Sequence, residues 1–412
     1  MRKYYSVFIL LLCIATSANF AFSQEAVIRK HIEYLASDSL KGRLAGSPEE
    51  LLTATYVRNA LVSYDYKPLY TEGLQQFSYT FVVKRDGKIV RDSIYSHNVA
   101  VYLEGSDPTL KKEYIIIGAH HDHVGLGGAG SRRPDVSAIH YGADDNASGV
   151  AMALELAKSI ASQKPNRSVI IATFGAEEQG IIGSKYMADH LPEQIGKPVI
   201  MLNFDMLGRL NEKKSLEING TGTFMGAEIL LRSLPNPDSL SLTMIPGGYG
   251  PSDHTSFYGA GIPVLFFTTG VHLDYHTPDD IASSINYEGM ISIYDYVKNL
   301  TNHLLNAKIA PIYQKAGSET TPNTHSFNVS LGIIPDFNKV YEGEGMRADY
   351  VTDGRPAQKA GMKNGDIIMQ VGDTKIINIE DYMKCLSELN AGDTVKVKVK
   401  RGETILDLTI HL

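Results

Sequence analysis

Cysteine is almost missing from this sequence: the 412 residues contain only Cys13 and Cys385. Cys13 lies in an N-terminal stretch laid out like an export leader, so a mature chain would keep Cys385 alone. That excludes an internal disulfide and gives no basis for cysteine chemistry. Also lacking is an apolar run of the ~20 residues that a membrane-spanning helix needs; Val7 to Ala15 is too short. A basic excess is absent too. The formal net charge is -7 with a pI near 6.0, which speaks against nucleic acid as the main partner. No internal repeat is visible.

What is present begins with that leader. Arg2 and Lys3 precede the run from Val7 to Ala15, and Ala21-Phe22-Ser23 offers a small-x-small cleavage site before Gln24. This is the layout of a secretory signal peptide over residues 1–23, predicting export to the periplasm or the extracellular medium without stable membrane insertion. Leu12 stands where a lipoprotein leader has a small residue, which argues against lipid attachment at Cys13. Hydrophobic residues make up 43% of the chain and charged residues 21%, as in soluble globular proteins. The length exceeds one ordinary core, so two domains are expected.

Residues 25–67 read as mainly helical, with Ile28, Ile32 and Leu35 on one face. Strand-like runs follow at Phe77–Val83 and His97–Leu103. Four more runs, Tyr114–Ile117, Ser168–Phe174, Pro198–Phe204 and Ile262–Thr268, are apolar without alternation, as strands covered on both faces should be. Helices are predicted over Ser148–Gln163 and Tyr287–Asn306. Buried strands alternating with helices indicate an α/β sandwich, a mostly parallel central sheet flanked by helices, over residues 24–306. Residues 307–328, rich in Pro, Gly, Ser, Thr and Asn, read as a linker. Residues 329–412 hold short strands at Lys396–Lys400 and Ile405–Ile410 and a helix near Ile379–Leu389, enough for a small α+β domain.

The residues able to do chemistry cluster at the ends of the buried runs. Tyr114–Ile117 leads into His120-His121-Asp122-His123, and Ser168–Phe174 into Glu177-Glu178. Pro198–Phe204 ends at Asp205, and Ile262–Thr268 leads to Tyr275-His276. Ligands of open α/β sheets bind outside the carboxyl ends of the strands, so these side chains should share one crevice. Asp144-Asp145 precede a helix, and neighbouring carboxylates repel unless a cation lies beside them. Two imidazoles and three carboxylates, without thiolates, suit zinc or a similar divalent ion, and one bridging carboxylate lets five residues hold two ions. Such a pair activates water and polarises a carbonyl. One glutamate of the adjacent pair can ligate while its neighbour takes the proton of the water.

Together these pieces resemble peptidase family M28, the zinc aminopeptidases. His120-x-Asp122, Gly142-Ala143-x-Asp145-Asn146-x-Ser148-Gly149, Glu177-Glu178, Asn203-x-Asp205-Met206-x-Gly208 and Tyr275-His276-Thr277 follow in the family's order. Tyr34 to Arg43 is similar to the opening of many members. The resemblance implies two zinc ions per chain, one held by His120, Asp145 and Asp205, the other by Asp145, Glu178 and His276, with Asp145 bridging. It further implies Glu177 as general base and acid, Asp122 as the carboxylate that orients His120, and Tyr275 as a donor to the tetrahedral intermediate. His121 and His123 are expected behind the ligands or at the surface, and Asp144 beside the site. Ser252-Asp253-His254 is expected to line the cleft or to cap a helix, since triads assemble in space and not as tripeptides.

Near the C-terminus, Ser330-Leu331-Gly332-Ile333-Ile334 resembles the carboxylate-binding loop of PDZ domains. Gly354 to Ile368 is similar to that family's Pro-Ala-x-x-Ala-Gly-x-x-x-Gly-Asp signature. This implies a PDZ-like domain whose Leu331, Gly332 and Ile333 could receive a peptide C-terminus. The combined expectation is an exported aminopeptidase acting on peptides. A single-zinc glutaminyl cyclase on a related fold and a catalytically dead peptide-binding receptor are the rivals, and carboxypeptidase or dipeptidase action stays open. The full donor set counts against the cyclase, and an intact Glu177 against the receptor.

Overall fold

Residues 24–85, 88–128, 130–133, 135–316, 329–335, 344–351, 354–377 and 379–412 are described by a computed structural model of the protein. The leader reading over residues 1–23 lies outside them. The chain divides into two compact units, one with residues up to 126 and 138–316, the other with 127–137 and the residues from 317 onward. Among the described residues no helix is long and apolar enough to cross a membrane.

The first unit opens with a helix over residues 24–35 (α1) and helix α2 (Pro48–Ser63). Pro48 stands at the start of α2, and the Ser47 side chain caps it by accepting from the Glu50 N–H at 3.1 Å. Strands β1 (Lys67–Pro68), β2 (Leu74–Arg85), β3 (Lys88–Leu103) and β4 (Glu113–His120) follow, then α3 (Gly149–Ala161) and β5 (Ser168–Phe174). Next come α4 (Ile182–Asp189), β6 (Lys197–Phe204), β7 (Ser215–Asn219), α5 (Ala227–Ser233) and β8 (Ser241–Ile245). Helix α6 (His254–Gly259), β9 (Val264–Thr268) and α7 (Tyr287–Asn306) complete it.

The strands form one sheet in the order β1-β3-β5-β4-β6-β9-β7-β8, with β2 paired to β3. The four runs read as doubly covered strands are its centre, β5-β4-β6-β9, and run parallel. The flanks differ from a purely parallel sheet: β3 lies antiparallel to β5, and β7 antiparallel to β9. Alternation explains the continuous apolar runs. Ile115 and Ile117 enter the cluster that holds Ile28, Val57, Leu154, Ile293 and Val297, whereas Tyr114 and Ile116 enter the one that holds Met187, Phe257 and Tyr258. Helices α1, α2, α3 and α7 cover one face, and α4 and α6 the other. Each fully buried Ile contributes ~1.5–3 kcal/mol relative to exposure.

The beginning of the expected linker is tied down. Met225 N–H donates to Ile312 O at 3.1 Å, Gln314 N–H to Thr223 O at 2.8 Å and Ala316 N–H to Tyr258 Oη at 2.8 Å. Residues 307–316 are thus part of the first unit, and residues 317–328 lie outside the described ones.

The second unit contains β10 (Ile333–Pro335), β11 (Met346–Val351), α8 (Pro356–Lys359), β12 (Ile367–Val371), β13 (Thr374–Lys375), α9 (Ile379–Glu388), β14 (Thr394–Arg401) and β15 (Thr404–His411). Its antiparallel sheet runs β10-β11-β12-β14-β15, with β13 on β12. On β14 the buried Val395, Val397 and Val399 alternate with Lys396, Lys398 and Lys400, the period of a sheet with one face covered. Cys385 is buried and unbonded to sulfur.

Candidate metal centre

His120 closes β4, Glu177 and Glu178 follow β5, Asp205 follows β6, and His276 lies beyond β9. Their side chains meet. His120 Nε2 is 3.2 Å from Asp145 Oδ1 and 3.4 Å from Asp205 Oδ1. His276 Nε2 is 3.0 Å from both Asp145 Oδ2 and Glu178 Oε2. Two donor groups result, His120-Asp145-Asp205 and His123-Asp145-Glu178-His276, each with its donor atoms within 4.8 Å of one another. Asp145 belongs to both and turns a different oxygen to each.

Zinc with N and O donors at ~2.0–2.2 Å has tetrahedral edges of ~3.3–3.6 Å, near the spacings found here. The fit has a second sign. Asp145 Oδ2 is buried and accepts no well-aligned hydrogen bond, although His276 Nε2 and His123 Nδ1 lie 3.0 and 3.7 Å away. A buried carboxylate oxygen facing two ring nitrogens suits a cation between them, and the all-N/O donor set suits zinc.

His123 is the imidazole the sequence left behind the ligands or at the surface. It is fully buried, and its Nδ1 stands 2.8 Å from Glu178 Oε1, a hydrogen-bond distance shorter than a tetrahedral edge. Glu178 is therefore held by one oxygen at His123 and turns the other to His276. His121 points elsewhere, to Thr173 Oγ1 at 3.0 Å and Glu50 Oε1 at 3.1 Å.

Asp122 acts on more than its histidine. Its oxygens accept from the Glu177 N–H at 3.0 Å and the Glu178 N–H at 3.3 Å, while His120 Nδ1 lies 3.2 Å from the Asp122 main-chain oxygen and 3.8 Å from Oδ1. The Asp145 loop is fixed from several sides. Asp280 accepts from the Asp144 and Asp145 N–H groups at 3.0 Å. Asn146 Nδ2 donates to Phe204 O at 2.9 Å, and the Leu207 N–H to Ser148 Oγ at 2.9 Å. Gly142 has a φ of 57°, and a Cβ there would come within 2.2 Å of Asp145 O. Asp144 is turned away from the two donor groups, accepting from the Gly208 N–H and lying 3.1 Å from His272 Nε2.

Ser252 touches the centre directly. Its hydroxyl donates to Asp205 Oδ2 at 2.7 Å and accepts from Asn203 Nδ2 at 2.8 Å. No side-chain cap forms at α6. Tyr275 stacks on His276 with ring centroids 3.9 Å apart. Glu177 Oε2 stands 4.0 Å from His120 Nε2, and Glu177 belongs to neither donor group.

In the metal-free protein, burial pulls the His120 imidazole down, but Asp205, Glu177 and Asp145 overcome it and hold the ring well above its ordinary value. His276 is raised likewise, with Glu178 and Asp145 outweighing burial. Burial drives Glu177 well above the usual carboxylate range, with Asp253, Glu178 and Asp205 adding to the shift against His120. Glu178 falls to about 2 because His276 and His123 outweigh burial and Asp145. Burial and the nearby carboxylates push the Tyr275 hydroxyl well above its usual value, so it stays protonated. Burial also lifts Asp253 to about 7.

In the second unit Leu331 is fully buried and its carbonyl accepts from the Ala357 N–H at 2.9 Å. The Gly332 N–H already donates to Ser330 Oγ at 3.0 Å, and Ile333 pairs with Val351. Of the three residues read as a peptide-binding loop, Gly332 has its donor engaged by the loop itself.

Residues 98–301 match peptidase family M28, and residues 331–412 match the PDZ domain. Aminopeptidase YwaD of Bacillus subtilis is 31% identical over 214 residues, covering 47% of this chain and 44% of that protein. The chain thus spans less than half the length of that relative. Among solved structures, an aminopeptidase from Aneurinibacillus sp. strain AM-1 superposes with a TM-score of 0.56 at 20% identity, covering 72% of this chain and 96% of its own. Porphyromonas gingivalis glutaminyl cyclase superposes at 0.50 with 17% identity, covering 69% of this chain and 98% of its own. At such identities the likeness is one of fold. On the two family matches, the chain carries a peptidase family M28 domain followed by a PDZ domain.

Proposed function

We propose that the protein is an exported aminopeptidase that removes N-terminal residues from peptides at a two-zinc centre. The observation that carries this is Asp145, one carboxylate shared by two separate donor groups. His120, Asp145 and Asp205 would hold one ion, and Asp145, Glu178 and His276 the other. When bound, the ions lower the pKa of water and polarise the scissile carbonyl.

The remaining work falls to side chains. Glu177 takes the proton of the attacking water and returns it to the leaving amine, being beside both donor groups and a member of neither. Asp122 holds the backbone of Glu177 and Glu178, so base and ligand keep their places. Tyr275, protonated and stacked on His276, is the donor for the developing oxyanion. Acidic residues of the same cluster receive the substrate's free amine. The PDZ domain captures extended peptide ends, and the N-terminal stretch directs export to periplasm or medium.

Incubating the zinc-loaded protein with free, N-acetylated and N-terminal-glutamine peptides, read by mass spectrometry, tests this reading. Stepwise loss of N-terminal residues from free peptides alone is expected. Shortening from the C-terminus would assign a carboxypeptidase. Loss of ammonia without shortening would assign a cyclase, whose fold is also among the structural likenesses.

A further inference from the structure

We infer that Arg43 is a positioning residue of the metal centre, a buried guanidinium that fixes the segment just after His120 and the turn that carries Asp145. The inference rests on the site being a metallopeptidase centre. Arg43 lies between α1 and α2, ahead of the residues that match the peptidase family. It is 1% exposed, and its side chain donates four hydrogen bonds, all to main-chain carbonyls. Nε reaches His121 O at 2.9 Å, next to the end of β4. Nη1 reaches Tyr141 O at 2.8 Å, and Nη2 reaches Gly142 O at 3.0 Å, at the start of the turn that bears Asp145. Nη1 also bonds Leu35 O, the end of α1. One rigid fork therefore spans both metal-bearing loops and ties them to the N-terminal helix. A lysine, with a single flexible ammonium, cannot reproduce that geometry.

The backbone around Arg43 makes the same connection. His123 N–H donates to Arg43 O at 3.2 Å and Gly125 N–H to Gly42 O at 3.0 Å. Gly42 has a φ of 73°, and a Cβ there would lie 2.4 Å from Gly125 O and 2.5 Å from His140 O. Arg43 itself holds a φ of 50°, which a non-glycine residue adopts at a cost. Burial lowers its guanidinium to about 10, and Asp145, Asp122, Asp280 and Glu178 draw it back up, so it is charged at neutral pH.

The sign of the metal response separates positioning from counter-charge. A cation near the ions repels them, so a mere counter-charge would, once removed, let metal bind more tightly. Positioning predicts the opposite. Arg43→Lys keeps the charge and loses the fork, and Arg43→Met loses both. Each should bind zinc about 10–100-fold more weakly, the usual effect of losing a group that orients ligands. Each should also shift the visible spectrum of the cobalt-substituted protein, read alongside the melting temperature. Tighter zinc binding by Arg43→Met, or a lowered melting temperature with unchanged zinc affinity and cobalt spectrum, would overturn the inference. Hydrogen exchange on the wild-type protein needs no variant: because coupling is reciprocal, zinc added to the chelated protein should slow exchange at residues 40–44 as well as at 121–125 and 141–145. No change at 40–44 would overturn the inference. Wild-type protein that binds no zinc would instead sink the metallopeptidase reading itself.

Discussion

The two units bury acids in contrasting ways. In the PDZ domain Asp366 is 1% exposed, and Arg401 meets it with Nε and Nη2, each 2.7 Å from a different oxygen. The charge is cancelled by a bidentate pair of the protein's own side chains. In the peptidase domain Asp145, Glu178 and Asp205 crowd together, facing the imidazoles of His120, His123 and His276 and, at Asp205, the Ser252 hydroxyl. The nearby guanidinium of Arg43 spends its donors on main-chain carbonyls. A buried acid with its own arginine needs nothing further. Acids that face imidazoles, which give up their protons as metal binds, have room for a metal.

The largest effect that could break this contrast belongs to Glu177. Glu177→Gln should retain metal and fold yet lose ~10²–10⁴-fold in kcat, whereas Glu178→Gln should lose metal. Equal metal content and equal residual rates in the two variants, measured by elemental analysis and steady-state kinetics, would undo the division of roles. His123→Ala comes next. It frees one oxygen of Glu178 and should weaken binding of that ion by about 10–100-fold in a zinc titration.

Removal of metal gives a pH dependence whose sign follows from the raised imidazoles. In the chelated protein His120 and His276 hold protons well above the ordinary histidine value of ~6.5. Their contribution is complete below that value and is lost as pH rises through the folded-state values. Thermal melts of chelated protein should therefore weaken from near pH 6.5 upward, whereas zinc-loaded protein should not follow that loss, because deprotonated imidazoles bind metal better. Parallel curves would show that protons and metal do not compete for this site.

On the other side of the contrast, Asp366→Asn should lower the stability of the PDZ domain by about 1.5–3 kcal/mol in denaturant melts and leave hydrolysis of small substrates unchanged. The smallest effect is expected from deleting the residues after Ala316. A dipeptide-sized chromogenic substrate should keep a near-normal kcat, and a ten-residue peptide should show a raised KM. Equal losses on both, with a lowered melting temperature, would make the PDZ domain a structural support.

Much of this was legible in the sequence because the central strands are apolar on both faces. β5 and α7 fall where the runs Ser168–Phe174 and Tyr287–Asn306 place them. β7 and β8 were not legible: Ser215–Asn219 and Ser241–Ile245 are five residues each and broken by polar positions such as Glu217 and Thr243. Five donors could be named since each follows a strand or opens a helix. His123 could not be assigned, because spacing does not say which imidazole of the run returns to the site. β4 ends at His120, alternation sends His121 to Glu50, and the turn brings His123 back. Asp280 and Ser252 carry no local signal for these contacts, and the resemblance of Tyr34 to Arg43 to a family opening says nothing of what Arg43 touches. Their contacts to the site join residues such as Ser252 and Asp205, 47 positions apart, or Asp280 and Asp144, 136 apart, which only the closed fold brings together.

The central claim, that one carboxylate serves two ions, is tested most directly by titrating zinc into chelated protein, wild type and Asp145→Asn side by side. Two ions per wild-type chain, with both sites weakened together in the variant, is the predicted result. One ion per wild-type chain, held equally well by Asp145→Asn, would contradict it.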